Sequence, residues 1–265
     1  MGEHAANWLK GKRVVVTRAA GQNESLVQAL REKGALPVVV PMVAFGAPDD
    51  PGLVDEAIQG IERYEWIFLT SQNALRALQE RSEVLGVRLA QMMGGIRIAA
   101  VGPATAEAAK NAGLKVEYVA VKHQGTAMAK ELEGKIKGKS ILLPRSDRAN
   151  PELVEQLREL GAKVQEIVAY KTVRPDEQGL AKAEEMAREG ADVVLFFSPS
   201  AVHHLQDVLG NERFLEFSSQ ALFAAIGPVT EEALRKAKVE RVATARDTTV
   251  SGVLAALTEY FSARG

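Results

Sequence analysis

The sequence contains no cysteine, which excludes disulfides, thiolate metal sites and thiol nucleophiles, and leads us to expect a reducing compartment, the cytoplasm. It also lacks long apolar runs. The longest, LPVVVPMVAF from Leu36 and ADVVLFF from Ala191, fall far short of the roughly 20 residues that cross a bilayer. The opening residues MGEHAANWLKGK carry no apolar signal core, and Ala6 stands where a myristoylation pattern needs Ser or Thr. Neither sign of charge is in excess: 33 basic against 34 acidic residues leave a formal net charge of -1. Neither a membrane nor nucleic acid is therefore expected as a partner, and attraction for an anion must be local.

Several chemistries are missing at the level of motifs. No G-x-G-x-x-G follows a predicted strand and no G-x-x-x-x-G-K-[ST] is present, so dinucleotide and nucleoside-triphosphate sites of those kinds are unsupported. No strand ends in the Asp of a phosphoacceptor. FFSPS is not a G-x-S-x-G elbow. His203 and His204 are neighbours on a predicted helix and diverge, while His4 and His123 have no partner at ligand spacing; we expect no metal.

What is present is alternation. Short β-rich runs such as RVVVT from Arg13, WIFLT from Trp66 and IRIAAV from Ile96 are each followed by a helical run, the pattern of a parallel sheet with crossover helices. Their apolar character on both faces fits a sheet covered on both sides. With 265 residues, 46% of them apolar, the chain has material for two ordinary domains.

The second half repeats the first. Arg18 and Arg145 stand 127 positions apart, as do Arg31 and Arg158, and Ser71 and Ser198. AAVGPATAEAAKNAG from Ala99 and AAIGPVTEEALRKAK from Ala224 follow at 125 after a small deletion. A period this long marks a duplicated domain-sized unit, because solenoid repeats run about 20 to 50 residues. Leu36–Phe45 and Lys163–Val173 are related by the repeat and exceed the other strands in length, so they are candidates to bridge the domains. Pro37 and Pro41 suit an edge or exposed ribbon.

In open parallel sheets, ligands sit beyond the carboxyl ends of strands, against the N-termini of the following helices. Those positions carry Thr17-Arg18, Thr70-Ser71-Gln72-Asn73, Gly102-Pro103-Ala104-Thr105, Pro144-Arg145-Ser146, Ser198-Pro199-Ser200 and Gly227-Pro228-Val229-Thr230. Taken singly, each hydroxyl reads equally as a helix cap. As a set, with free amides and helix dipoles, they offer many weak anion contacts. One position breaks the symmetry: Tyr170 corresponds to Val43 in the first copy. A phenol can donate a proton yet is uncharged at neutral pH, and a duplicated scaffold acting on one substrate needs its acid once. A strand tyrosine on an apolar face is the alternative. Lys171 and Arg174 flank it, as substrate charges or as solvated edge charges.

The tandem Gly-Pro-x-Thr turns, TSQNA and FSPSA after the third strand of each copy, and VAYKTV resemble uroporphyrinogen-III synthase, over roughly Lys12 to Leu257. The resemblance implies two similar α/β domains, each a flavodoxin-like parallel sheet flanked by helices, joined by a two-stranded β-ladder. The implied division is 1–36 plus 174–265 for a discontinuous domain one, 46–162 for domain two, and 37–45 with 163–173 for the ladder. It further implies that hydroxymethylbilane, a linear tetrapyrrole with eight carboxylates, binds in the cleft between them and closes to uroporphyrinogen III, with loss of water and inversion of the fourth ring. No metal or organic cofactor is implied. The functional tyrosine maps onto Tyr170, and the contributing hydroxyls onto Thr105, Ser198 and Thr230, with Ser71, Asn73 and Ser200 similar by repeat or position. Arg18, Arg145, Arg148 and Lys171 are the local charges expected to meet carboxylates. The expected partners are the small substrate and, transiently, hydroxymethylbilane synthase, with the chain a monomer. A non-catalytic two-domain binder or sensor of a small polyanion is the other reading of the same scaffold.

Overall fold

The computed structural model describes residues 8–19, 23–122, 124–246 and 249–263; His4 and His123 lie outside them. The chain opens with β1 (Arg13–Val16), α1 (Glu24–Glu32) and β2 (Leu36–Val39). Next come β3 (Ala44–Gly46), α2 (Pro51–Gln59), β4 (Trp66–Leu69), α3 (Gln72–Val84), α4 (Leu89–Met92), β5 (Arg97–Ala100), α5 (Pro103–Asn111), β6 (Val116–Val119), α6 (Gly125–Glu131) and α7 (Glu133–Ile136). The pattern restarts with β7 (Ser140–Ser146), α8 (Glu152–Glu159) and β8 (Lys163–Val173). It ends with α9 (Glu177–Glu189), β9 (Val193–Phe196), α10 (Pro199–Leu209), α11 (Asn211–Gln220), β10 (Leu222–Ile226), α12 (Pro228–Lys236), β11 (Val242–Ala245) and α13 (Val250–Ser262).

The chain divides into two compact units, Met1–Ala44 with Val173–Gly265, and Phe45–Thr172. One sheet runs β11-β10-β9-β1-β2 and the other β3-β8-β7-β4-β5-β6. With β3 set aside, the two orders superpose under the sequence repeat. Each is a 2-1-3-4-5 doubly wound sheet of the flavodoxin kind, and the strand pairs are parallel. Strand β1 sits beside β9, from the second copy, while β7 sits beside β4, from the first.

Alternation along the central strands builds the cores. In β4, Trp66 and Phe68 enter one apolar cluster with Ile141 and Leu143, and Ile67 and Leu69 enter another with Ile98 and Leu142. In the other unit Val14, Val16, Val193 and Leu195 face α1 and α13 residues such as Leu30 and Leu257. Phe196 points the opposite way, its ring centroid 5.0 Å from that of Phe223. Each such buried side chain contributes about 1.5–3 kcal/mol relative to exposure, so both units carry full two-sided cores.

Leu36–Phe45 is two short strands rather than one long one: β2 closes the edge of the five-stranded sheet, and β3 lies beside β8 in the six-stranded sheet. Val40 N–H donates to Val16 O and Met42 N–H to Thr17 O, each at 3.0 Å. Pro41 between them has no N–H to give, but that position faces the open edge of the sheet, so its ring costs no bond to β1. Strand β8 is the long one, but its Lys163–Val168 stretch is ordinary sheet, in register with Ser140–Arg145 of β7, and the register then shifts past Ala169 so that Tyr170 stands opposite Ser146. Buried His204 on α10 fixes the residues between β2 and β3. Its Nδ1 donates to the Met42 carbonyl at 2.6 Å, a role that sets the tautomer because a carbonyl only accepts. His203 beside it is exposed.

Candidate active site

The carboxyl end of the six-stranded sheet brings Tyr170 and Ser71 together. Tyr170 lies on β8, and Ser71 follows β4 on the far side of β7, yet their hydroxyl oxygens are 3.1 Å apart. Ser71 is also the N-cap of α3, its Oγ accepting from Ala74 N–H at 3.1 Å. A hydroxyl has one donor and two lone pairs, so capping leaves Ser71 free to donate to the phenol. The Phe45 ring meets the Tyr170 ring edge-on, 5.5 Å between centroids at 89°, which limits how far the phenol can swing.

A cleft of about 110 Å³ opens beside this pair, lined by Tyr170, Phe45, Asn73, Arg76 and Glu80 among others. It accommodates a substituent rather than a drug-sized ligand, for which sites of about 300–1,000 Å³ are usual. Lys171, next along β8, is held by both carboxylate oxygens of Asp49 at 2.7 Å. Ser146 Oγ, at the end of β7, stands 3.2 Å from Thr172 Oγ1.

Arg145, expected at the mouth as a substrate charge, is buried, with Nη1 on Glu166 at 2.9 Å and Nη2 on the carbonyl of Asn150. Its donors hold β7, β8 and the start of α8 together. Burial also decides Thr105 and Thr230. Both are almost wholly enclosed in the first turns of α5 and α12, at 6% and 3% exposure, which leaves chiefly the amides of those turns for a ligand.

The second sheet end carries the repeat counterparts. Thr17 Oγ1 donates to Leu195 O at 2.8 Å, tying β1 to β9 at the switch point between them. The Arg18 guanidinium sits 5.0 Å from the Phe197 ring centroid, and burial pushes its pKa down from the ordinary arginine value. An arginine in that setting gains from an arriving anion. Ser198 caps α10, accepting from Ala201 N–H at 3.3 Å, with Pro199 as the first helical residue and Ser200 after it. Gly227 before α12 adopts φ 90°, ψ 159°, a region essentially reserved for glycine, whereas its counterpart Gly102 is plainly extended. Among the described residues no group of three or more His, Asp or Glu side chains could hold a metal, and no helix is long and apolar enough to cross a membrane.

The family model for uroporphyrinogen-III synthase HemD matches residues 24–255. The chain belongs to that family. A uroporphyrinogen-III synthase from Synechococcus elongatus is 27% identical over 260 residues, covering 95% of this chain and 96% of its own. Among solved structures, the uroporphyrinogen-III synthetase of Helicobacter pylori aligns with TM-score 0.64 at 17% identity, covering 96% of this chain and all of that one. A mutant uroporphyrinogen III synthase from the extreme thermophile Thermus thermophilus aligns at 0.56 with 21% identity, again over 96% of this chain and 100% of its own. These two likenesses show the fold: paired parallel-sheet units flanked by helices, as in the synthase family.

Tyr170 and Ser71, both candidates from the sequence, come together here, and Arg76, which was not among the candidates, lines the same cleft as Tyr170. The same rule that picked out Tyr170 would have found it. Arg76 corresponds to His203 across the 127-position repeat, a charged departure one helical turn into α3.

Proposed function

We propose that this chain is a uroporphyrinogen-III synthase of tetrapyrrole biosynthesis, cyclising hydroxymethylbilane with loss of water and inversion of the fourth pyrrole ring. The observation that carries the reading is the Tyr170 phenol, steadied by Ser71 and by the edge of Phe45 at the carboxyl end of a parallel sheet. The hydroxyl of an electron-rich pyrrolylmethanol leaves readily once protonated. Tyr170 O–H supplies that proton, and Ser71 O–H, donating to the phenol oxygen, stabilises the phenolate left behind.

The resulting azafulvene would close unaided to the uninverted isomer, so the protein must govern shape. Holding the chain so that the substituted carbon of the last ring is attacked first gives a spiro intermediate, whose rearrangement inverts that ring. The final closure releases one proton, which restores Tyr170. The sum is substrate minus water, with no redox change. Carboxylates are bound by Arg18, by the amides and hydroxyls at Ser198, Ser200 and Asn73, and by the first-turn amides that precede Thr105 and Thr230. In this reading Thr105 and Thr230 shape the turns rather than grip the ligand.

The finer reading is a cytoplasmic monomer. It receives its substrate through brief contact with hydroxymethylbilane synthase, because a substrate that closes spontaneously is best passed on quickly. The test is an isomer assay: purified protein given hydroxymethylbilane yields uroporphyrinogen III in excess over the uninverted isomer. Formation of the uninverted isomer alone, at the uncatalysed rate, would overturn the reading.

A further inference from the structure

We infer that Arg76 is a carboxylate-binding residue that positions the reacting end of the substrate against Tyr170. The inference rests on the proposed synthase reading. Arg76 and Tyr170 line the same small cleft, with Asn73 and Phe45. Two arginines border it, and they are engaged differently. Arg81 is bound by both oxygens of Asp55, with side chains only 24% and 22% exposed, and hydrogen bonding to Asp55 raises its pKa above the ordinary arginine value. Arg76 is bound through one nitrogen, Nε to Glu80 Oε1 at 2.7 Å, in an i,i+4 pair whose side chains are 71% and 59% exposed.

Exposed pairs of that kind are among the weakest in proteins. A substrate carboxylate can take the two terminal guanidinium nitrogens end-on, a forked geometry for which arginine is better suited than lysine. The cleft admits a side-chain acid and not a whole tetrapyrrole. A carboxylate anchored there would fix the ring that bears it, and with it the distance from the leaving hydroxyl to the phenol. The second copy has His203 at the corresponding position, so the anchor exists once, as the proton donor does.

Three variants, Arg76→Gln, Arg76→Lys and Glu80→Gln, are compared with the unchanged protein by kinetics, isomer ratio, melting temperature and fluorescence titration with uroporphyrin I, a stable octacarboxylate. We expect Arg76→Gln to raise KM about tenfold, the loss of one charge-assisted contact, to lower kcat by about tenfold as the leaving hydroxyl is less well held against the phenol, and to give a larger share of uninverted product. Arg76→Lys should recover part of the KM. Glu80→Gln should leave KM equal or lower, since it frees Arg76 and removes an acid from the cleft. If Arg76 serves only its helix, Arg76→Gln and Glu80→Gln will lower the melting temperature alike and neither will move KM or octacarboxylate affinity, which overturns the inference. An unchanged protein that makes no type III isomer but binds the octacarboxylate in an Arg76-dependent way would overturn the synthase reading and uphold the carboxylate site. Failure of both activity and binding would overturn both.

Discussion

Tyr170 and Ser71 share a hydrogen bond of 3.1 Å across the end of a strand that separates them in the sheet. Ser71 has two tasks, because its oxygen also caps α3. Tyr170→Phe removes the acidic proton and leaves the ring packed on Phe45, so kcat should fall by about 10²-fold or more while the melting temperature holds. Ser71→Ala should cost about 1 kcal/mol of stability as a lost cap and also slow turnover. Asp176→Ala, which removes the cap of α9 (Asp176 accepts from Gly179 N–H at 2.8 Å), is the control: equal stability loss with turnover unchanged. Equal turnover in the Ser71 and Asp176 variants would show that the contact with the phenol has no chemical role.

Buried Arg145 pairs with exposed Glu166, the side-chain exposures being 7% and 37%. Arg145→Ala should cost about 2 kcal/mol, since Glu166 keeps some access to water and the Asn150 carbonyl loses its donor. Arg145→Met, which keeps the stem packed, should cost less. Thermal unfolding measures both, and KM of the folded fraction should be unaltered. A raised KM at unchanged stability would return Arg145 to the substrate site.

The two Gly-Pro turns are alike in sequence and unlike in backbone. Gly227→Ala should cost about 1–3 kcal/mol from strain alone, as nothing lies within 4 Å of an added Cβ. Gly102, at φ -168° and ψ 171°, lies where any residue is tolerated, and Gly102→Ala should be the milder change in denaturant unfolding.

Glu65 ties the approach to β4 to that of β7. Hydrogen bonds from Lys139, at 2.6 Å, and then from Ser140 N–H, at 3.2 Å, hold its carboxyl below the ordinary glutamate range, with burial opposing weakly. A carboxyl whose pKa is lower folded than unfolded stabilises at neutral pH, and the contribution is lost as pH falls through the folded value. The melting-temperature difference between the unchanged protein and Glu65→Gln should therefore be present at pH 7 and fade as pH falls below the ordinary glutamate value of about 4.3. It should also shrink at about 1 M salt, where exposed charges are screened.

Much of the architecture was legible because a repeat reports its own strand equivalences. The positions 127 and 125 apart assign β1 to β7, β4 to β9 and β5 to β10, and the two sheet orders obey that assignment. Tyr170 was legible for the same reason, as a polar break in the symmetry against Val43. The partners of Arg145 were not legible, because an arginine at a strand end looks the same in sequence whether it faces a ligand or a neighbouring strand. Only the parallel register of β7 with β8, which sets Arg145 beside Val168, brings Glu166 within reach. Thr105 and Thr230 were placed at the right helix starts, but how deeply a first-turn side chain sinks depends on what packs above it.

By itself the sequence determined the layered α/β class, the duplication and the short list of polar groups beyond the strand ends, because these follow from periodicity and from helix-start chemistry within a few residues of each other. Tertiary structure alone decided which of those groups meet. Parallel strands join residues about a hundred positions apart, so the partner of Tyr170, the enclosure of Arg145 and the sharing of one cleft by Arg76 and the phenol are fixed by sheet register and packing, which leave no local trace in the chain.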